Sequence, residues 1–370
     1  MPRLSLPIRT AAVVGSACLA VLAGVQPSSA ANGWEVVASG LDSPRQLSFA
    51  PTGALYVAEA GRGGVGPCVV HPELGEMCLG ASGAITEVKD GQQRRVVTGL
   101  PSIGGAQDVI GPSDVDVTGD QSYAITIGLA GSPEFRSAYG SGGAALGTLV
   151  TGKLKHGPWS VLADVADNEA RVNPEPTDID SNPVGVLRQG SRYLVADAGG
   201  NDLLSASKHG SFQTLAVFPD TMVDAPPFLG LPPGTQMPMD AVPTAVAIGP
   251  DGAMYVSQLT GFPFPAGGST IWRIAGGSAP TAFATGLTNV TDLAFAADGS
   301  LYAVQLATNG LLSGSLSGSL VRVTRGAGSH ATVAGDLFAP YGVAVRGGSA
   351  YVTTCSVCTG GGQVLRIPLG

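Results

Sequence analysis

Leu55-Tyr56-Val57-Ala58-Glu59-Ala60-Gly61 is an apolar run that returns five more times in altered form. Each copy holds a tyrosine. Six of the eight tyrosines, at positions 56, 123, 193, 255, 302 and 351, follow one another at steps of 67, 70, 62, 47 and 49 residues. In five copies a glycine stands three residues before the tyrosine, as Gly53 does before Tyr56. A turn and a strand that recur in this way indicate a repeat fold.

Each repeat fits four antiparallel strands. In the first repeat, Asp90-Gly91 separates two alternating runs, which is a strong hairpin signal. The sixth repeat supplies only three strands, whereas residues 35–41 precede the first repeat and are similar to the fourth strands at residues 96–100 and 283–287. An N-terminal strand that completes the last blade would leave no open edge. The sequence therefore predicts an all-β fold, a six-bladed β-propeller whose ring this strand closes.

The first 30 residues have the pattern of a secretory signal peptide. Arg3 and Arg9 form a basic head, Ala11 to Val25 is apolar, and small residues precede a cleavage site near Ala30. A lipoprotein attached at Cys18 is a weaker alternative, because Gly15 stands where leucine is usual. We expect an exported protein with one propeller domain over residues 31–370.

The charge of the chain limits the kinds of partner that it can bind. The formal net charge is -8, and it becomes -10 without the two leader arginines. An acidic chain with four lysines does not suit nucleic acid or anionic membrane surfaces. No later run is long and apolar enough for a membrane helix. The expected partners are a small molecule, a glycan or an extracellular protein, and we expect a monomer.

Four cysteines follow the leader, and an even number in an exported chain favours disulfides. The simplest pairs are the local ones, Cys68 with Cys78 and Cys355 with Cys358. The short spacing of the second pair is also compatible with zinc or redox chemistry, but no second close pair or histidine accompanies it. Disulfides are the expectation, and the pairing of Cys355 with Cys358 stays open.

The insertions predict where a binding site lies. In a propeller blade, the loops between the second and third strands share one face with the links between blades, and this face holds nearly every long insertion of the sequence. Polar residues end the second strands and begin the first strands at this face. Those ending the second strands are Glu59, Thr126, Asp197, Gln258, Gln305 and Thr354; those beginning the first strands are Arg45, Gln46, Ser113, Asp114, Thr244, Asn289, Thr291, Asp292 and Tyr341.

We predict a ligand site in which these side chains ring the mouth of the central channel. The ligand-binding residues would be Arg45, Gln46, Glu59, Asp114, Asp197, Asn201, Gln258, Asp292, Gln305 and Tyr341. The alternative is that each residue caps a strand end and bonds to the local backbone.

The same ring can supply oxygen ligands to calcium, with Glu59, Asp114, Asp197 and Asp292 as the candidate set. A second acidic stretch consists of Asp164, Asp167, Glu169, Asn173, Glu175, Asp178, Asp180 and Asn182. It lacks the spacing of a calcium loop, so a solvated linker is the default interpretation. No catalytic residue is identified. A Ser-His-Asp triad has little support, because His156 and His209 fall in turns of the opposite face and only His71 is on the loop face.

Several longer motifs resemble one family. They are residues 55–64 with Gly66-Pro67-Cys68, then Ser181-Asn182-Pro183, Asp197-Ala198-Gly199-Gly200-Asn201 and Gln258-Leu259-Thr260-Gly261-Phe262-Pro263. Together they look like the ScyD/ScyE family of exported propeller proteins, over essentially the whole mature chain. The fifth repeat departs from the pattern, since it lacks the opening proline. The blades also look, more distantly, like NHL repeats and calcium-dependent lactonases of the gluconolactonase type.

Two functions follow as hypotheses. The first is a binding protein that uses the loop face for a small molecule, a glycan or a protein. The second is a calcium-dependent lactonase or hydrolase, with ligands and base among the four carboxylates named above. The resemblance does not decide between them, because a shared fold does not transfer an activity.

Overall fold

The computed structural model describes residues 33–370, except for residues 120, 155–156, 175–177 and 327. The predicted signal peptide, Cys18, His156 and Glu175 lie outside the described residues. The strands belong to one compact unit, Glu35–Gly370. In chain order they are β1 (Glu35–Leu41), β2 (Pro44–Phe49), β3 (Leu55–Glu59), β4 (Cys68–His71), β5 (Gly75–Lys89), β6 (Gln92–Gly104), β7 (Val109–Ile110), β8 (Pro112–Val117), β9 (Ser122–Ile127), β10 (Thr148–Lys153), β11 (Ser160–Asp164), β12 (Pro183–Gln189), β13 (Arg192–Asp197), β14 (Asp202–Ser207), β15 (Phe212–Val217), β16 (Thr221–Asp224), β17 (Gln236–Met239), β18 (Pro243–Ile248), β19 (Met254–Gln258), β20 (Ser269–Ile274), β21 (Thr281–Leu287), β22 (Val290–Phe295), β23 (Leu301–Gln305), β24 (Ser317–Arg322), β25 (Ala331–Phe338), β26 (Val343–Arg346), β27 (Ser349–Thr354) and β28 (Gly362–Pro368).

These strands form the predicted six-bladed β-propeller. The blades, each written from its inner to its outer strand, are β2-β3-β5-β6, β8-β9-β10-β11, β12-β13-β14-β15, β18-β19-β20-β21, β22-β23-β24-β25 and β26-β27-β28-β1. The inner strands contact one another in a closed cycle, from β2 through β8, β12, β18 and β22 to β26 and back to β2. We number the blades one to six in this order.

The ring is closed where the sequence predicts it. Strand β1 pairs antiparallel with β28, with Glu35 opposite Arg366 and Leu41 opposite Gly362. Leu41 is 1% exposed and belongs to a core cluster shared with Val57 of blade one. The closing strand therefore contributes backbone hydrogen bonds to blade six and apolar surface to the junction of blades six and one.

The recurrent apolar runs are the second strands of the blades. Every residue of β3 is buried, because both faces of a blade are covered by neighbouring blades and a strand covered on both sides is apolar throughout. The tyrosines pack between blades. Tyr56 and Tyr123 lie in one core cluster between blades one and two, and Tyr255 lies in a cluster between blades four and five. These three tyrosines are thus packing residues between neighbouring blades.

The tyrosines of blades two and three are both one residue off the register of the tyrosine in blade one. In blade one Glu59 is opposite the opening proline and lies three residues after Tyr56. In blade two that place belongs to Ile127, four residues after Tyr123. A shift of one residue turns a side chain to the other face of a sheet. Tyr123 therefore packs toward the preceding blade, whereas Tyr56 packs toward the following one.

The long loops of one face have structure of their own. They contain the helices α1 (Pro133–Ser137) and α2 (Val165–Val172), three 3₁₀ turns (Gly140–Gly143, Pro227–Leu229 and Leu311–Ser313) and the ribbon formed by β16 and β17. Disulfides join Cys68 to Cys78, as predicted, and Cys355 to Cys358, the pairing that the sequence left open. None of the helices in the described residues is long and apolar enough to cross a membrane.

Candidate functional site

The inner strands bring two of the predicted carboxylates into the channel. Asp114 is the third residue of β8 in blade two, and Asp292 is the third residue of β22 in blade five. Oδ2 of each accepts a hydrogen bond from a backbone N–H of the next blade, from Val186 at 2.8 Å and from Val343 at 2.7 Å. Blades two and five are opposite one another in a ring of six. The two carboxylates thus tie their blades to the next ones from opposite sides of the channel.

Burial is the largest influence on the pKa of both carboxyl groups. It raises the pKa of Asp114 to about 7, although the N–H groups of Val186 and Val115 oppose this shift. Burial, and then the charge of Asp114, raise the pKa of Asp292 well above its usual range. The effect of one carboxylate on the other fits their placement across a narrow channel.

Gln46 spans this channel. Its Nε2 donates to the carbonyl of Thr244 in blade four at 3.0 Å and to that of Thr291 in blade five at 2.7 Å. Only 1% of the residue is exposed, and Oε1 has no hydrogen-bond partner among the described residues. A side chain from blade one that bonds to two other blades closes the channel at this level. A substrate-sized molecule cannot pass it without displacing the amide.

Above this amide, Arg45 and Tyr341 cover the mouth. The guanidinium lies 4.7 Å from the centroid of the tyrosine ring and donates to Asp108 Oδ1 at 2.8 Å and to the Val109 carbonyl at 2.6 Å. Asp108 lies in the link between blades one and two, and the sequence prediction missed it. Burial raises the pKa of Tyr341, against the charge of Arg45 and a hydrogen bond with Ser113. Two of the predicted mouth residues, Arg45 and Tyr341, therefore lie together, but their polar groups are already bonded within the protein.

Glu59 lies elsewhere, at the junction of blades six and one. Its oxygens accept from the Asp42 N–H at 2.7 Å, from Thr86 Oγ1 at 2.5 Å and from Arg95 Nη2 at 2.6 Å. The carboxylate is fully buried. A buried carboxylate with this many donors is an anchor between blades, and the predicted place at the channel mouth is not observed.

The other residues at the ends of second strands serve similar local roles. Asp197 Oδ1 accepts from the Asn182 N–H at 2.6 Å, Gln305 Oε1 from the Thr288 N–H at 2.7 Å, and Gln258 Oε1 from Trp272 Nε1 at 2.7 Å. Asn201 Oδ1 accepts from the Val242 N–H at 2.8 Å. Each of these side chains holds a neighbouring loop or strand. The alternative considered from the sequence, local capping of strand ends, describes them better than a channel ring.

These positions do not fit the calcium site predicted for the lactonase hypothesis. Its four carboxylates are divided among the channel (Asp114 and Asp292), the junction of blades six and one (Glu59) and the link that enters blade three (Asp197). Ligands of one ion must surround one point. The four residues therefore cannot share a cation, and no catalytic step is derived from them.

The loop face differs from the rest of the surface in its apolar side chains. Of the eleven exposed large apolar residues among those described, nine lie in its loops and links, Phe338 ends β25 at the same face, and the exception is Val161. The ten are Val65, Val70, Val172, Ile179, Met222, Phe228, Leu231, Leu312, Phe338 and Val357. Phe228, 68% exposed, contacts Phe262 of the next loop edge-on, with ring centroids 6.2 Å apart. Scattered exposed apolar residues are ordinary on proteins, and here ten of them are exposed on one face.

The same face is acidic. The loops of blades one to four carry three arginines besides Arg45, and each of the three is paired with an aspartate, Arg62 with Asp42 at 3.3 Å, Arg136 with Asp164 at 2.8 Å and Arg171 with Asp167 at 3.0 Å. Of the lysines in the described residues, Lys89 and Lys153 end strands and Lys208 lies in a turn, all at the opposite end of the blades. Asp178 and Asp240 of this face are exposed, and neither forms a salt bridge among the described residues. The surface therefore combines apolar side chains with an excess of negative charge.

A polar cleft of about 450 Å³ also opens between blades four and five, lined by Thr288, Gln305, His330 and Asp336 among others. Its groups are largely bonded within the protein. Gln305 Nε2 donates to Ser319 Oγ at 2.9 Å, and His330 Nε2 contacts the Thr285 carbonyl at 2.9 Å. The cleft is therefore a weaker candidate for a site than the loop face.

Comparison with known proteins gives the fold alone. No protein-family model matches the sequence, and no curated protein is significantly similar to it. Among solved structures, glucose dehydrogenase matches with a TM-score of 0.52 and 12% identity over 91% of this chain and 99% of that chain. Virginiamycin B lyase from Staphylococcus aureus matches with a TM-score of 0.47 and 11% identity over 90% and 97%. Aldose sugar dehydrogenase from Streptomyces coelicolor has a TM-score of 0.38 and 15% identity over 91% and 80%.

Proposed function

We propose that the chain is an exported binding protein of the ScyD/ScyE type and that its long-loop face binds another extracellular protein. The observation that carries the proposal is the position of ten of the eleven exposed large apolar residues on that face. Burying such residues against a partner removes apolar area from water, which contributes about 25 cal/mol per Å². The rigid blades present the loops without the cost of ordering them at binding.

The charge of the face selects the kind of partner. Its free charges are acidic, and its arginines in blades one to four are already paired. A partner surface with lysine or arginine beside apolar side chains complements it in both respects. Channel chemistry is the weaker choice, because Gln46 and the Arg45–Asp108 pair fill the place where a substrate would enter.

A pair of designed helical peptides tests the proposal, one built of lysine and leucine and the other of glutamate and leucine. Fluorescence anisotropy with the mature protein should show binding of the basic peptide that weakens as salt rises, and at least tenfold weaker binding of the acidic one. The double variant Met222→Ser/Phe228→Ser should weaken binding about tenfold.

Val161→Ser is the matched control, because Val161 is the one exposed large apolar residue, among those that the structure describes, that lies off the loop face. It should bind the basic peptide like the wild type. Equal binding of the two peptides, or equal loss in the control and the double variant, would refute a docking role for this face.

A further inference from the structure

An arginine fills the junction of blades six and one. Arg95, on β6, donates from Nη2 to Glu59 Oε2 at 2.6 Å and to Asp42 Oδ2 at 3.0 Å. It pairs across the blade with Thr86 of β5, whose hydroxyl also donates to Glu59. The guanidinium therefore occupies this junction, and two carboxylates balance its charge.

The cleft between blades four and five is the same junction without the arginine. Gln305 replaces the glutamate, and Thr288, whose N–H donates to Gln305 Oε1 at 2.7 Å, replaces the aspartate. Thr332 pairs with Val321 as the arginine pairs with its threonine, so Thr332 replaces the arginine. All four residues line the cleft of about 450 Å³. The short threonine thus leaves open a space that a guanidinium fills in blade one.

A third junction, between blades three and four, is filled in another way. There Trp272 stands at the position that Val321 holds in blade five. Its Nε1 donates to Gln258 Oε1 at 2.7 Å, and its ring lies 6.0 Å from that of Phe218. Of these three junctions, the one between blades four and five is the open one.

Asp336 adds a carboxylate to this cleft. It lies at the bulge of β25 with a φ of 55°, where the matching bulges of the outer strands in blades one, four and six have Gly99, Gly286 and Gly40 at 79°, 83° and 69°. Left-handed backbone favours glycine, so a side chain that stands there at a cost points to a role for that side chain. Asp336 is exposed in the cleft, and its Oδ1 accepts a long hydrogen bond from Ser317 Oγ at 3.4 Å.

Hydroxyl groups make up much of the remaining lining. They belong to Thr288, Thr308, Ser317, Ser319, Ser329 and Thr332. A hydroxyl group donates one hydrogen bond and accepts others, so one that already donates within the protein, as Thr308 does to the Ser317 carbonyl, can still accept. This lining suits a ligand that carries hydroxyl groups of its own.

The charges of the cleft favour a neutral ligand. No lysine or arginine is among the described residues that line it, and His330 Nδ1 accepts from the Thr324 N–H at 3.0 Å, so this nitrogen carries no proton. An anion would therefore meet Asp336 without a cation to balance it. A cation would find the neutral Gln305 and Thr288 where blade one has two acids.

We propose that this cleft binds a neutral, polyhydroxylated molecule of about the size of a monosaccharide or disaccharide. The volume suits a small-molecule site. Asp336 accepts hydrogen bonds from neighbouring hydroxyl groups of the ligand, and Val321 offers an apolar contact to its C–H groups. The site is separate from the protein-binding surface, because none of the ten exposed apolar residues of the loop face lines the cleft.

Saturation-transfer NMR and calorimetry with the mature protein test the site. The probes are glucose, galactose, mannose and inositol, with glucosamine and glucuronate as charged counterparts. We expect at least one neutral probe to bind at millimolar concentration and to bind more tightly than both charged ones.

Two variants place the binding in the cleft. Asp336→Gly removes the carboxylate and installs the glycine of the other bulges, so it should fold and should weaken binding at least about tenfold. Gln305→Glu/Thr332→Arg rebuilds in blade five the pair that fills blade one, and it should abolish binding.

Ala331→Arg is the matched control for the filled cleft. It adds an arginine at the neighbouring exposed residue of β25, whose side chain points to the other face of the strand, and it should bind like the wild type. The proposal would be overturned if no neutral probe bound, if a charged probe bound most tightly, or if both cleft variants kept wild-type affinity. Thermal unfolding checks that the variants fold, and Asp336→Gly decides if the double variant does not. Peptide binding at the loop face is a separate readout, so the failure of one proposal does not count against the other.

Discussion

Replacing Asp114 by asparagine should change how the stability of the protein depends on pH. The folded state raises the pKa of this carboxyl group from 3.8 to about 7, mainly through burial. The folded state therefore holds the proton more tightly than the unfolded state does. Stability from this group is fully present below the unfolded pKa and is lost as pH rises through the folded one.

The magnitude follows from the shift. One pKa unit corresponds to 1.36 kcal/mol, so a shift of this size amounts to at most about 4 kcal/mol, of which about 3 kcal/mol is lost between pH 5 and pH 9. The value is an upper one, because the side chain keeps some exposure and water screens it. Asparagine cannot lose a proton, so the free energy of unfolding of the variant should increase relative to that of the wild type as pH rises. Its amide leaves one backbone N–H without an acceptor, which costs about 1 kcal/mol at every pH.

Urea unfolding of both proteins at pH 5, 7 and 9 measures the difference. Asp298→Asn, on an exposed turn of blade five, is the control. The N–H and hydroxyl of Ser300 lower the pKa of Asp298, so it is ionised across this range and its difference from the wild type should be flat. A flat difference for Asp114→Asn would refute the argument. It would mean that the carboxyl group is solvated and that Gln46 does not close the channel.

Three further results are expected. Leu41→Ala should lower the free energy of unfolding by about 2–5 kcal/mol in urea titrations, because the side chain is 1% exposed at the ring closure; a loss below about 1 kcal/mol would mean that β1 contributes little. Glu59→Ala should cost about 2–4 kcal/mol, since it leaves the Asp42 N–H and Thr86 Oγ1 without their acceptor and takes from Arg95 one of its two carboxylate partners, yet leave peptide binding unchanged. Lost peptide binding would contradict the anchoring role. Alkylation followed by mass spectrometry should find no free thiol in the mature protein until it is reduced.

The fold could be predicted because its signals are local and repeated. Turn residues and apolar runs mark each strand, and the similarity of residues 35–41 to other fourth strands identified the closing strand. The register of blade two was harder. Tyr123 keeps the spacing of the repeat but sits one place earlier relative to the opening proline, so Ile127 takes the place assigned to Thr126. Spacing along the chain cannot show a shift of one residue, although that shift decides which neighbour a side chain meets.

Only part of the site was predicted, again because spacing along the chain does not show which way a side chain points. Asp114 and Asp292 reach the channel because they lie on inner strands, whereas Glu59 and Gln305 end second strands and turn toward the links between blades. Asp108 was out of reach, because its contact with Arg45 joins residues 63 positions apart and no local pattern records it. Polar residue type identified the loop face, but the direction of each side chain depends on pairing that only the assembled blades define.

The antiparallel pairing of β1 with β28 also decides how the molecule responds to force. Glu35 is opposite Arg366, so the beginning of the closing strand and the end of its partner lie side by side. Tension applied between these two points loads the hydrogen bonds one after another, from Glu35 toward Leu41, and does not load them together. Pulled at its ends, the ring should open at this seam at low force. The same blades should resist far more when pulled through turns on opposite sides of the ring.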